Sequence, residues 1–582
     1  MIKKVFLTTF FVQLASFFTT IIGMTVDGIV TGSFLGADAL AAYGLVTPFL
    51  TLITAIPVSI SMGVVTVAGI RLGKGDIKEM NRSFNVCYWF SFLLSVIIFA
   101  LLFFLASPIA GMLGAKGEIS AMLIDYLKGY SIGFPAIFLV SVMMPMLQLI
   151  GKGKVLIGSM VVMTSVNVAI DFFNVFVWHK QMFGMAFATT ISYYVALVVI
   201  LLFVVVKPKM LRISWAGTDA GIIKEMVSFG VPKAISLGSR NILAMFVNFL
   251  IIGISGEPMV AAFSAIMSIW SIAMSIGTGL SGTVSVLAGV CAGEKDREDL
   301  IRVFNLSVKY STIFNGICMV IIIALAGPLV SLYFKGDSGV LADARLGLMI
   351  MVTNLILFSI NFCIRSYYQT MKNGMASFHA LFNTLLSTAA LAFVLSRVAG
   401  IVGIWLAFPL AEVVTFVVFG GVAFFKTKDK KNASITERMM MLPDEYQNEI
   451  EPIELTVRSE QDAVTASEKI NAYMTGHGAQ NQTALFASVA VEEMVMNVIR
   501  YGFEKSGAHS ISVKMKKDDD GWILRIRDDC RLFDPEAYVK SITSDEKESH
   551  FGIRMIYGLA DDVKYLNTFK LNNLLIRFGT NR

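Results

Sequence analysis

Charged residues are scarce in this sequence. Asp, Glu, Lys and Arg make up only 15% of its 582 residues, and the mean hydropathy is +0.70. Such an apolar composition excludes an ordinary soluble enzyme, and such a long chain excludes a protein with a single membrane span. The sequence therefore predicts a polytopic membrane protein.

Cysteine and histidine are also rare, with five residues of each. The cysteines have no paired spacing that would indicate a disulfide framework or a zinc site, and the histidines do not cluster with them in the sequence. We therefore expect no structural metal. The basic residues follow no nucleic-acid-binding motif, and we expect no nucleic-acid partner. The apolar run after Lys4 has no small-residue cleavage site, so it is predicted to be a membrane helix and not a signal peptide.

Apolar runs long enough to cross a bilayer, about 20 residues each, recur twelve times before the composition changes near Phe425. The predicted spans are residues 6–32, 40–70, 84–112, 122–150, 155–178, 182–206, 222–253, 259–290, 304–334, 344–371, 376–396 and 400–425. Lysine and arginine follow the even-numbered spans, as in the loop from Arg71 to Arg82, and are scarce in the other loops. The positive-inside rule then predicts a multi-pass protein of the plasma membrane with both termini in the cytoplasm.

An internal repeat links the two halves of this region. Shifting the chain by 220 residues (256 minus 36) places Gly36 on Gly256 and Asp76 on Asp296 without a gap. Further matches under the same shift are Ala41–Ala42 with Ala261–Ala262, Ser61 with Ser281, Ala68–Gly69 with Ala288–Gly289, and Gly73 with Gly293. A weaker echo pairs the segments that begin at Gly184 and Gly403. Chance coincidence of small residues is the alternative. The shift predicts two parallel six-helix lobes, residues 1–215 and 216–425, with a transport path between them.

One carboxylate stands out in the first predicted span. Asp27 is the only charged residue between Lys4 and Asp38. A carboxylate inside a bilayer costs at least about 2.5 kcal/mol, so such residues usually bind or relay an ion. The alternative interpretation places Asp27 near the water interface, or protonated and without a ligand.

Three segments resemble the MATE family of multidrug and toxin extrusion transporters. The first is Val26–Gly32 (VDGIVTG), followed by Leu35–Ala42 (LGADALAA) and Pro48. The others are Asn167–Asp171 (NVAID) and Gly184–Ile191 (GMAFATTI), which resemble the fifth and sixth helices of that family. The resemblance covers the membrane region and implies a twelve-helix, two-lobe antiporter. It would export small organic compounds, often cationic or amphipathic, and be driven by H⁺ or Na⁺.

Asn167 and Asp171 are candidate partners of Asp27. They are four residues apart and therefore share one helix face. Burial and a second carboxylate both favour the protonated form of a carboxyl group, so a pair of aspartates can hold a proton and release it when the surroundings change. The resemblance to MATE proteins implies that Asp27, Asn167 and Asp171 bind the coupling cation. The alternative is that Asp171 only packs the lobe.

Glu412 is a possible second-lobe site, because it lies near the middle of the twelfth span. Pairing with a basic residue such as Arg365 or Arg240 is the alternative. Spans seven and ten, where some sodium-coupled relatives carry acids, have none in their interiors. This departure favours ion coupling in the first lobe.

The last 132 residues differ in composition from the rest. Residues 426–450 are predicted to form a basic, polar linker, and residues 451–582 an α+β domain. Predicted strands cover residues 453–457, 510–515 and 521–527, and predicted helices cover 467–474, 483–501 and 553–559, followed by two short strands. The fold class is thus an all-α membrane domain followed by a cytoplasmic α+β domain.

Three motifs of this domain resemble the GHKL (Bergerat-type) ATPases, most closely the anti-sigma-factor serine kinases. They are Ala490–Gly502, Leu524–Pro535 and Phe551–Asp561. The resemblance implies that Asn497 ligates Mg²⁺, that Glu493 orients or deprotonates the attacking nucleophile, and that Asp528 accepts from the adenine amino group of ATP. Gly552 is the retained glycine of the phosphate-binding box.

Two residues depart from the GHKL pattern, because Cys530 and His550 stand where glycine is usual. A side chain at either position crowds the approach of the backbone to the nucleotide. The leading hypothesis is a cation-coupled exporter with a nucleotide-binding regulatory domain. One alternative is a membrane sensor that signals through a serine-kinase-like domain to a STAS-type anti-sigma antagonist, and another is a flippase for lipid-linked precursors.

Overall fold

The protein was analysed as a computed structural model. It describes all residues except 207–210, 216, 334–337, 372–373, 431–432, 447–449, 504–508, 519–520, 531–550, 569–570 and 580–582. The chain divides into two compact units, with the main boundary after Leu442. One unit is the helical region and the other contains the C-terminal domain.

The membrane region consists of long helices joined by short turns. Its first half contains α1 (Ile2–Val30), α2 (Ala37–Gly73), α3 (Ile77–Phe104), α4 (Ala106–Met112), α5 (Gly117–Ser131), α6 (Phe134–Leu149), α7 (Gly153–Phe173) and α8 (Gln181–Val206). Its second half contains α9 (Ala220–Ser255), α10 (Glu257–Gly293), α11 (Arg297–Ala324), α12 (Ala326–Tyr333), α13 (Ser338–Met351), α14 (Leu355–Thr370), α15 (Met375–Leu381) and α16 (Ser387–Lys426). Single π-helical turns extend α1 and α7 and join α15 to α16.

Eleven helices of the described chain are long and apolar enough to cross a membrane, or twelve if the bent pair α5–α6 counts as one span. One of the eleven, Asn481–Gly502, belongs to the C-terminal domain. In contrast, the 52-residue segment from Met375 to Lys426 is broken at Ala399 and Gly400, where the backbone leaves helical geometry, and so supplies two spans. The predicted all-α membrane domain with twelve spans is therefore confirmed.

The helix ends reproduce the 220-residue repeat. Helices α2 and α3 end at Gly73 and Phe104, and α10 and α11 end 220 residues later. Gly36 and Gly256 precede α2 and α10 with nearly the same backbone angles, φ 94° and 77° with ψ −177° in both. Asp76 and Asp296 both cap the following helix by accepting a hydrogen bond from the backbone N–H three residues on. The repeat is thus a repeat of structure and not a coincidence of small residues.

The two halves meet where α2 and α10 end. A Cβ atom added to Gly73 would lie 2.1 Å from the Val290 carbonyl oxygen, and one added to Gly293 would lie 2.1 Å from the Ile70 carbonyl oxygen. Each glycine therefore fits against the other helix only because it has no side chain. The contact is reciprocal, as expected for two parallel repeats related by a two-fold axis.

Two predicted boundaries are wrong. The third span ends at Phe104 and the ninth at Ala324, and in each case a separate short helix, α4 or α12, follows. The predicted spans 84–112 and 304–334 ran across these breaks because every residue involved is apolar or small. Hydropathy does not record such a change of direction.

Part of the predicted linker is folded. Helix α17 (Ile435–Met440) begins with a capping box formed by Ser434 and Glu437. Glu437 forms an ion pair with Arg297 of α11. The Tyr368 hydroxyl of α14 donates a hydrogen bond to the Met439 carbonyl oxygen at 2.7 Å. This segment therefore packs on the second half of the membrane region.

The C-terminal domain is a five-stranded antiparallel sheet with three described helices. Its strands are β1 (Ile453–Val457), β2 (Ile511–Asp518), β3 (Gly521–Asp528), β4 (Asp562–Thr568) and β5 (Leu571–Phe578), in the order β1-β2-β3-β5-β4. Helices α18 (Glu460–Gly476), α19 (Asn481–Asn497) and α20 (Phe551–Leu559) complete the domain. Buried residues of α18 and α19 form one core with the sheet. The predicted α+β class is confirmed.

Candidate functional site

The first lobe brings together the three residues predicted from its motifs. Asp171 is fully buried on α7, and Asn167 lies one turn before it at 7% exposure. The Asn167 amide donates to an Asp171 carboxylate oxygen at 3.5 Å, a long hydrogen bond. The Asp27 side chain of α1 contacts both residues. Two helices distant in sequence thus place two carboxyl groups and one amide together.

This cluster faces a polar cavity of about 110 Å³. The cavity is lined by hydroxyl groups as well as by Asp27 and Asn167; the hydroxyl groups belong to Thr20, Thr47, Thr51, Thr54, Thr164, Thr189, Ser192 and the tyrosines 43, 126, 130 and 193. None of the described residues that line it is a lysine or an arginine. One oxygen of Asp27 and one of Asp171 are buried without a hydrogen-bond partner. Unsatisfied carboxylate oxygens beside hydroxyl groups are the ligands that a proton or a small hard cation requires.

Glu412 of α16 lies in a different environment. One of its carboxylate oxygens accepts hydrogen bonds from the Asn361 amide at 2.7 Å and the Asn383 amide at 2.9 Å. The described residues give it no ion pair with Arg365 or Arg240, although Arg365 lines the same cavity and is close enough to attract it electrostatically. Pairing with a basic residue therefore stays an alternative, while in this structure two amides hydrogen-bond the acid.

In the C-terminal domain, Asp528 ends β3 and is 3% exposed. Its Oδ1 atom accepts from the Asn572 amide at 2.7 Å and from the Cys530 backbone N–H at 3.0 Å. Burial raises the pKa of Asp528, and those hydrogen bonds oppose the rise. A fixed, buried carboxylate at the end of a central strand suits recognition of an adenine amino group.

The other predicted nucleotide residues lie on helices. Glu493 is exposed on α19, and Asn497 is the last residue of that helix. Gly552 lies in the first turn of α20, and His550 lies outside the described residues. The Cys530 side chain is 8% exposed and packs on Gly502, where an added Cβ would lie 3.2 Å from the Cys530 Cβ. The absence of a side chain at Gly502 thus makes room for Cys530, and the effect of Cys530 on a bound nucleotide stays a prediction.

The domain also contains a cluster that the sequence did not predict. Ligand atoms of His509, Asp529 and Cys530 all lie within 4.8 Å of one another. The His509 ring hydrogen-bonds to Asp529 at 3.3 Å. Sequence spacing could not reveal this group, because the pairing of β2 with β3 brings residue 509 to residue 529.

Both regions of the chain match the models of known protein families. The MatE family model matches residues 13–173 and 232–394, more than half of the chain. The chain belongs to the MATE family. The histidine kinase-like ATPase domain model matches residues 456–578 of the same protein. Both resemblances stated from the motifs are confirmed, and this chain is a multi-pass membrane transporter with an ATPase-like domain.

Curated relatives cover the MATE region. Multidrug export protein MepA of Staphylococcus haemolyticus is 24% identical over 396 residues, which is 66% of this chain and 86% of that protein. The FAD transporter of Shewanella oneidensis is 23% identical over 405 residues, 68% of this chain and 88% of that protein.

Solved structures show the same fold. An outward-facing multidrug resistance MATE transporter superposes with a TM-score of 0.67 at 21% identity, covering 72% of this chain and 94% of that one. A transporter of the wider superfamily from Pyrococcus furiosus, described as having a binding pocket of reverse polarity, gives 0.68 at 21% identity, covering 72% and 95%.

Sequence reasoning missed several polar residues of this MATE protein. Asn361 and Asn383, which bind Glu412, and Lys233 of α9 were not singled out. Lys233 and Arg240 are seven residues apart, a spacing of two helical turns that places them on one face. That spacing within an apolar span was the available signal.

Proposed function

We propose that this MATE protein is an antiporter that exports small organic compounds in exchange for H⁺ or Na⁺, with Asp27, Asp171 and Asn167 as the ion site. The observation that carries the proposal is the contact of Asp27 with the buried Asp171, beside a cavity that Asp27 lines and whose described lining contains no base. Two bare carboxylates side by side in a membrane repel each other strongly, whereas a shared proton or cation removes the repulsion.

The ion site explains how exchange can be coupled. An ion bound between Asp27 and Asp171 would stabilise the pair in this geometry, and hydration of the cavity in another conformation would let the ion leave. An ion gradient then drives the change of conformation, because the ion binds the two states with different affinity. Of the cationic and amphipathic compounds that the family resemblance implies, amphipathic ones suit the apolar walls of the second lobe best. The distribution of basic loops supports a cytoplasmic position for both termini.

Ion-driven uptake into proteoliposomes tests this proposal. Purified full-length protein is reconstituted, and uptake of a fluorescent dye is measured under an imposed pH gradient, an imposed Na⁺ gradient or none. Asp27→Asn and Asp171→Asn should each reduce gradient-driven uptake by at least about 30-fold. Asp125→Asn, which removes an exposed aspartate of α5, is the matched control and should transport normally. Unchanged uptake in Asp27→Asn would show that the pair only packs the lobe.

We also propose that the ATPase-like domain binds ATP with Mg²⁺. Asp528 would hold the adenine, Asn497 would ligate the metal, and Gly552 would let the backbone approach the phosphates. Glu493, exposed and one turn before Asn497, would take the proton of an attacking hydroxyl group. The alternative of a serine kinase that acts on a STAS-type partner depends on this last step.

Nucleotide titration of the full-length protein tests the domain. Mg²⁺-dependent ATP binding should be lost in Asn497→Ala and in Asp528→Asn, whereas Asn481→Ala, at the other end of α19, should bind normally. Transfer of the γ-phosphate to a serine of an anti-sigma antagonist, without dye transport, would favour the signalling alternative. Movement of a labelled lipid-linked precursor, without dye transport, would favour the flippase.

A further inference from the structure

Three basic residues lie on the membrane helices of the second lobe. Arg240 of α9 and Arg365 of α14 line one cavity together with Glu412. Lys233 lies two turns before Arg240 on α9, and its Nζ atom is 4.9 Å from the centre of the Phe362 ring. The Arg365 guanidinium carbon lies 4.2 Å from the centre of the same ring, and Arg365 is only 4% exposed. The three cations are therefore close neighbours.

One acid among the described residues faces these three bases. The only acid that lines the cavity among the described residues, Glu412, has its carboxylate hydrogen-bonded to Asn361 and Asn383. Glu412 is close enough to Arg365 to attract it electrostatically, but neither Arg240 nor Arg365 forms an ion pair or a hydrogen bond with any described residue. Bases outnumber acids here, whereas the first-lobe cavity contains Asp27 and no base among its described lining residues.

Such an arrangement is expensive without a ligand. A buried guanidinium group loses its hydration, and this desolvation costs several kcal/mol. The attraction of a partner charge has to offset that cost. Neighbouring cations add repulsion to that cost. The missing partner has to be negatively charged, and a guanidinium pair binds the oxygens of a carboxylate or phosphate group especially well.

The walls of the cavity indicate what else the ligand carries. Apart from the polar groups the lining is large and apolar, with Phe263, Met267, Trp270, Phe358 and Phe408. The cavity measures about 50 Å³, room for one small ionic group and not for a whole drug-sized molecule. The ligand would place an anionic group between the arginines and its apolar part along the aromatic wall.

We propose that the second lobe binds the oxyanion group of an amphipathic organic compound through Arg240 and Arg365, with Lys233 adding to the positive field. This inference rests on the proposed export function and specifies its substrate class as organic anions. The two lobes then divide the work, with acids that bind the coupling ion in one and bases that bind the substrate in the other.

Two xanthene dyes of similar size and opposite charge test the proposal. Binding of carboxyfluorescein, an anion, and rhodamine 123, a cation, to full-length protein in detergent is measured by fluorescence polarisation. The anion should bind at least about tenfold more tightly than the cation. Arg240→Gln and Arg365→Gln should each weaken anion binding by about tenfold or more. Arg397→Gln, an exposed arginine of α16, is the matched control and should bind normally.

A folding control accompanies the arginine variants. Arg365→Lys keeps the charge but not the planar guanidinium fork, and it should retain more anion binding than Arg365→Gln. Tighter binding of the cation, no binding of the anion, or full anion binding by Arg240→Gln and Arg365→Gln would overturn the proposal. Because no ion gradient is used, these results are independent of the Asp27 transport test, and either proposal can fail alone.

Discussion

The two lobes have the same backbone plan and opposite electrostatics. Helices α2 and α10 have the same number of residues, and so do helices α3 and α11. However, the first-lobe cavity contains Asp27 and no base among its described lining residues, whereas the second-lobe cavity contains Arg240 and Arg365. The comparison teaches that the repeat preserves the residues that determine helix ends and helix contacts. The residues that face the cavities are not repeated, and they give the two cavities different charges.

The largest expected effect comes from breaking the contact that the lobes share. Gly73→Ala places a Cβ atom 2.1 Å from a carbonyl oxygen of α10. Overpacking of this kind costs about 1–3 kcal/mol, so we expect dye transport to fall by up to about 100-fold. Gly293→Ala should act in the same way, and the double variant should be little worse, because both changes break one contact.

Gly44→Ala, on the same helix as Gly73, is the control for this prediction. No atom lies within 4 Å of a Cβ atom added at Gly44. Transport is measured in proteoliposomes after confirming equal reconstitution. Normal transport by Gly73→Ala would mean that the helices separate freely at this point and that the reciprocal contact has no mechanical role.

The next prediction compares the buried acids of the two lobes. Asp171→Asn should reduce ion-driven dye uptake at least about 30-fold, because it removes half of the carboxyl pair. Glu412→Gln should reduce it by no more than about threefold, because Glu412 has no second carboxylate beside it. Initial uptake rates under pH and Na⁺ gradients provide the measurement. Equal losses in both variants would place ion coupling in both lobes.

Glu412→Gln should have a smaller effect on anion binding, and this effect should be a gain in affinity and not a loss. Replacing it with glutamine removes the one negative charge that lines the cavity of Arg240 and Arg365. Anion binding should therefore strengthen by about fivefold, the equivalent of about 1 kcal/mol. Titration with carboxyfluorescein measures this change, and weaker binding would indicate that Glu412 orients the arginines.

The smallest effect concerns helix α17, which packs on the second lobe. Arg297, the partner of Glu437, corresponds to Ile77 in the first lobe under the 220-residue shift, so only one lobe can form this ion pair. Surface ion pairs contribute at most about 1 kcal/mol. Arg297→Gln should therefore reduce the hydrogen-exchange protection of residues 435–442 by about fivefold or less. Lys309→Gln on the same helix is the control and should show no change.

The same contact has a predicted pH dependence. Burial opposes ionisation of Glu437, but hydrogen bonds from Ser434 and the charge of Arg297 outweigh it and hold the Glu437 pKa below its usual value. A depressed carboxyl pKa stabilises the packed state above the ordinary value of about 4.3. Protection should thus be constant from neutral pH to that point and fall on further acidification. Loss of protection already near neutral pH would contradict this assignment.

Much of this architecture could be predicted because membrane spans, repeats and motifs leave local signals. Asp27 was identifiable as a lone charge, and the NVAID motif supplied Asn167 and Asp171. The bases of the second lobe were harder to place, because residues 240 and 365 are distant in sequence and no repeat of the first lobe leads to them. Asn361 and Asn383, whose amides hydrogen-bond Glu412, are also distant from it in sequence and meet it only after the helices have packed.

In the C-terminal domain, the motifs predicted Asp528 but not its support. Asn572 lies 44 residues later and reaches Asp528 only because β3 and β5 are neighbours. Likewise, the motif identified Cys530 as a departure but did not predict that its side chain packs on Gly502. Local sequence predicts functional residues, whereas the residues that position them come from strand order and helix packing.

The reciprocal contact of Gly73 and Gly293 has a further consequence. It has the form of an isologous interface, the kind that joins two identical subunits around a two-fold axis, although both of its surfaces belong to one polypeptide. Such a surface does not depend on the peptide connection between the lobes. Two separately expressed halves, each with its own glycine, would carry everything needed to find each other in the bilayer.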